Sequence, residues 1–144
     1  MEEKEASNFQ EHVLNQYKIK AIFEAEEMHD WNSAKLYSQK ALLSLDTDKI
    51  YPENISYWKL PKNKMTNIKI AHENLLLIYN DAKIIDPYNL AKAIVSLDCW
   101  SEQQEEIWQT WDINKCKDDF FNSMHKIYKK LSKNNNFKEE ENTI

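Results

Sequence analysis

Apolar residues recur along this chain at three- and four-residue steps, and those steps mark off five helical stretches. Leu14, Tyr17, Ala21, Ala25 and Met28 form one face of the first, widened by Phe9, Val13 and Ile22. Ser7 or Asn8 supplies its N-cap. Glu24, Glu26 and Glu27 oppose the helix dipole late in the run, so it should end near Met28 or His29. Asp30 caps a second helix carrying Trp31, Ala34, Tyr37, Ala41, Leu42 and Leu45. The link is so short that the two should form an antiparallel hairpin. A third helix, starting near Lys64–Asn67, carries Met65, Ile68, Ala71, Leu75, Ile78 and Ala82. Leu76, Leu77 and Tyr79 make it apolar on several sides, which predicts the central position. Asp86-Pro87 then gives a cap followed by proline at the first helical position. The fourth helix carries Leu90, Ala91, Ile94, Val95, Leu97 and Trp100. Asp112 caps a fifth, with a regular stripe of Ile113, Cys116, Phe120, Met124, Ile127 and Leu131.

No run alternates with the period of a strand, so the expected class is all-α. About five helices pack antiparallel, in a manner resembling tetratricopeptide repeats. That likeness rests on residues 29–42, where an aromatic follows the turn and alanines permit close helix approach. Ala25 stands where such repeats usually have tyrosine, and no second copy follows. Residues 46–63 are the long non-periodic stretch; Pro52 and Pro61 forbid a continuous helix there. Ile50, Tyr51, Ile55, Tyr57, Trp58 and Leu60 are too apolar for a free linker, so an ordered loop is expected. It either covers a core edge or, through Tyr51, Tyr57 and Trp58, offers aromatic anchors to a protein partner. The reading is one helical domain over residues 1–133, then a disordered polar tail over 134–144.

Composition narrows the function classes. Glycine is absent and proline occurs three times, which removes the residues of phosphate loops and tight hairpins. All nineteen basic residues are lysine, and the formal charge is −5. Without arginine for bidentate grips on phosphate or guanine, the composition points away from nucleic acid as a partner. No run of about 18 apolar residues predicts a membrane span. The first residues lack the basic and apolar regions of a signal peptide. His12, His29, His72 and His125 make no metal motif, and no catalytic fingerprint or cofactor motif is present. Glu102-Gln103-Gln104-Glu105-Glu106 reads as a solvated helix end, as a hydrogen-bond anchor for the corner, or as a carboxylate pair for acid–base work. The expectation is therefore a protein without a catalytic site, metal or cofactor.

The densest chemistry lies between Cys99 and Cys116, which holds both cysteines and three of the five tryptophans. Each cysteine is either a small buried hydrophobe or half of a bridge closing a loop of about 15 residues. The block Asp98-Cys99-Trp100, Glu102-Gln103-Gln104-Glu105-Glu106, Trp108-Gln109, Asp112-Ile113 and Cys116 resembles the N-terminal helical region of alphaproteobacterial OmpA-type outer-membrane lipoproteins. The segment from Tyr17 through Glu24-Ala25-Glu26-Glu27-Met28 to Asp30-Trp31 and Ala34 is similar to the same region, as is Tyr51-Pro52-Glu53. The family's peptidoglycan-binding domain and lipoprotein signal have no counterpart here, so their function does not carry over. The resemblance implies a helical domain, a cell-envelope address, periplasmic or outer-membrane associated, and a paired Cys99 and Cys116. The expected function is a non-enzymatic interaction or scaffold module; a cytoplasmic repeat-like adaptor is the alternative. Two geometries allow the bridge. Either the fourth helix ends soon after Trp100, or it runs on to Trp108 and the fifth packs back antiparallel with Cys116 at the level of Cys99.

Overall fold

The computed structural model describes the backbone of residues 8–106 and 110–143, and the side chains of 8–105 and 114–134. Its described residues hold five α-helices and no strand: α1 Phe9–Glu26, α2 Trp31–Asp46, α3 Lys62–Ile85, α4 Pro87–Glu106 and α5 Thr110–Thr143. A short 3-10 turn, Ile55–Tyr57, lies in the loop between α2 and α3.

Local signals place the helix ends. Asn8 accepts from the Glu11 N–H at 2.9 Å and Asp30 from the Ser33 N–H at 3.1 Å, the expected N-cap geometry. Between α1 and α2, His29 takes a left-handed φ of 52° where helices usually place glycine. Pro87 opens α4, and Asp86 accepts from the Asn89 amide side chain at 2.7 Å and pairs with Lys130 of α5 at 3.2 Å. Helix α5 begins at Thr110 rather than at Asp112, whose side chain lies outside the described residues. It runs on to Thr143, past Lys133 where composition ends the domain; neither glycine nor proline follows to stop it.

Helix α4, not α3, is the centre. It packs against α1, α3 and α5, and residues 93–104 are buried without a break. Helix α3 exposes Leu76, Leu77 and Ile84. The error lay in reading apolar breadth as burial, because α4 hides its centrality behind Ser96, Asp98, Ser101, Glu102, Gln103 and Gln104, all buried. A second correction concerns α2. Trp31 is 68% exposed and Leu42 62%, while Ala34, Tyr37, Lys40, Ala41 and Ser44 face inward. The stripe of α5 is as expected, with Phe120, Met124 and Ile127 buried and Cys116 and Leu131 packed at its edge.

Candidate functional site

Two polar clusters sit inside this apolar frame, four residues apart on α4 and therefore on one face of it. The first centres on Asp98. Its Oδ2 accepts from the Tyr17 hydroxyl of α1 at 2.6 Å and from Lys40 Nζ of α2 at 3.3 Å, and its Oδ1 accepts from the Glu53 N–H at 2.8 Å. Lys40 also donates to the Tyr51 carbonyl at 2.8 Å and pairs with Glu53 at 2.9 Å. One buried carboxylate thus fastens two helices and the loop to α4. Burial drives the Asp98 pKa up, and Lys40 opposes that rise.

The second cluster centres on Glu102. Its Oε1 accepts from the Tyr37 hydroxyl at 2.8 Å, and its Oε2 accepts from the Ser33 hydroxyl. Burial first, and the neighbouring Glu24 second, push its carboxyl up to about 7. Tyr17 and Tyr37 stack with ring centres 6.0 Å apart, and burial holds both phenols well above their ordinary range. They stay protonated and donate. Helix α2 reaches α4 through Tyr37 and Lys40, long polar side chains that take the place of close helix contact.

The structure distributes the sequence-selected residues unequally. Glu102, Gln103 and Gln104 are buried rather than forming a solvated helix end. Glu105 Oε2 accepts from the Lys59 N–H at 2.7 Å, tying down the end of the loop. Trp100 is core, packed against Phe120 and Phe121. Glu106 and Trp108 lie outside the described side chains. Trp58 is 7% exposed, so it closes the core edge instead of offering an anchor; Tyr51 and Tyr57 remain exposed. Tyr51 stacks on Tyr79 at 4.4 Å.

Cys99 and Cys116 come within disulfide reach, with Cα atoms 5.7 Å apart. This is the second of the two geometries: α4 continues to Glu106 and α5 folds back beside it. The cysteines sit at the wall of a cleft of about 500 Å³ between α1, α4 and α5, whose lining includes Ile19, Phe23, Val95 and Gln103.

Lys40, Tyr17 and Tyr37 are the cluster members that sequence reasoning missed. Tyr17 and Tyr37 sat on apolar stripes, where a tyrosine counts as bulk. Lys40 carried a usable signal: it falls between Tyr37 and Ser44 on the inward face of α2, and a lysine there needs a buried anion. Comparison of the chain with protein-family models, with curated proteins and with solved structures finds no match to any of them.

Proposed function

We propose that the chain is a non-enzymatic interaction or scaffold module of the bacterial cell envelope. The observation that carries this reading is the pairing of its two cysteines across α4 and α5, since bridges of this kind persist in oxidising compartments and are rare in the cytosol. The polar clusters favour a framework role. Asp98 and Glu102 are engaged by phenols, a lysine and backbone that fix helix positions. A partner surface is available in the exposed aromatics Tyr51 and Tyr57 beside the buried Trp58.

The cytoplasmic adaptor reading draws on the α1–α2 hairpin, whose outer face exposes Trp31, Leu42 and Leu45. Intact mass of the protein isolated from its native cells, alkylated before lysis, separates the two. The envelope reading expects Cys99 and Cys116 protected from alkylation and the protein in the envelope fraction. Two alkylated thiols on protein recovered from the cytosol reject it.

A further inference from the structure

Three carboxylates converge where α1 turns into α2. Glu24 lies in the last turns of α1, Asp30 caps α2, and Glu102 reaches in from α4. One oxygen of each lies within 4.8 Å of the other two. The tight turn at His29, with the Asp30 N–H donating to the Glu24 carbonyl at 2.8 Å, brings the first two together.

Charge is not balanced there. Glu24 is 1% exposed and Glu102 2%. Among the described residues, Lys20 alone pairs with any of the three, its Nζ 2.9 Å from Glu24 Oε2. That approach is off hydrogen-bond angle, and Glu24 Oε2 is left without a hydrogen bond. A single ammonium stands against three carboxylates, two of them buried, and buried charge without a partner is strongly disfavoured.

The donors are all oxygen. Ser33 adds its hydroxyl, within 3.0 Å of Asp30 Oδ2 and hydrogen-bonded to Glu102. An all-oxygen set selects a hard cation over zinc or copper. A cage of protein oxygens suits calcium, which takes about six to eight oxygen ligands in flexible geometry, better than magnesium, which keeps several of its waters. We propose that Glu24, Asp30, Glu102 and Ser33 form a binding site for Ca²⁺, entered past the half-buried Asp30 and Ser33.

The test is thermal unfolding of the full chain, stripped with EDTA and titrated with CaCl₂ or MgCl₂ to millimolar levels. A saturable rise of about 3–8 °C at roughly ten times Kd is expected with Ca²⁺, with a smaller one from Mg²⁺ at equal concentration. Glu102→Gln and Glu24→Gln abolish the rise; Glu26→Gln, on the exposed side of α1, retains it. Should either buried variant not fold, Asp30→Asn keeps a capping acceptor while weakening the site, and Tb³⁺ luminescence sensitised by Tyr37 reports occupancy. No saturable Ca²⁺ response in the parent, or an equal response in all three site variants, overturns the proposal.

Discussion

Tyr17 of α1 donates its phenolic hydrogen to Asp98 of α4 across 2.6 Å, eighty-one positions away in the chain, and both residues are buried. The same carboxylate receives Lys40 and the Glu53 backbone, so its loss would take an acceptor from three donors in three segments, of which Lys40 keeps the Tyr51 carbonyl and the Glu53 carboxylate. Asp98→Ala is expected to cost about 3–5 kcal/mol in urea unfolding, the range for removing one partner of a buried ion pair. Tyr17→Phe removes one donor and should cost about 1–3 kcal/mol. A cost for Asp98→Ala below that of Tyr17→Phe would contradict the central position given to the carboxylate.

Glu102 sets the pH behaviour. Its ordinary value is 4.5 and its folded value about 7, so between these the folded state holds a proton that the unfolded state has released. Stability contributed by this group is present below about pH 4.5 and declines as pH rises through about 7, by on the order of 3 kcal/mol, with no further change above. The groups facing it are Glu24, Asp30, Ser33, Tyr37 and Lys20. In EDTA, the Tm of Glu102→Gln is expected to lose the decline across this window while the parent shows it. Parallel profiles for parent and variant would assign the titration elsewhere.

The cysteine pair spans 17 positions between α4 and α5. A closed loop of that length stabilises by about 3 kcal/mol in the chain-entropy model. Cys99→Ser with Cys116→Ser should therefore lower the urea midpoint with little change in helical circular dichroism, and reduction of the parent should reproduce the shift. If oxidised and reduced parent unfold at one midpoint, the bridge contributes nothing to stability.

The neighbouring aromatics of the loop should part company. Trp58 is buried and Tyr57 exposed, with the two rings edge to face at 4.9 Å. Trp58→Ala is expected to cost about 3–5 kcal/mol, as a core aromatic truncation does. Tyr57→Ala should stay within about 1 kcal/mol and instead weaken partner binding, read by co-purification from native cells. Equal destabilisation by both changes would make Tyr57 part of the core.

The helical class was legible in sequence because 3.6-residue periodicity is local: α5 buries Phe120, Met124 and Ile127 at the spacing that defined it, and Asn8, Asp30 and Asp86 cap within three residues of themselves. Apolar pattern alone misassigned which helix is central, and on α2 it grouped the exposed Trp31, Leu42 and Leu45 with the buried Ala34, Tyr37 and Ala41. A one-dimensional pattern scores Leu42 as interior and Lys40 as surface; Lys40 reverses that order because Asp98, fifty-eight positions on, supplies its counter-charge.

The chain by itself determined its class, the caps of α1, α2 and α4, the proline-bounded loop and the short list of residues able to form a bridge. Those follow from backbone preferences and contacts only a few positions long. The tertiary structure alone decided that Cys99 meets Cys116, that Tyr17 and Lys40 meet Asp98, and that Glu24, Asp30 and Glu102 share one corner. Each of those meetings depends on how helices rotate and cross, and a buried charge makes sense only once the partner that compensates it is known.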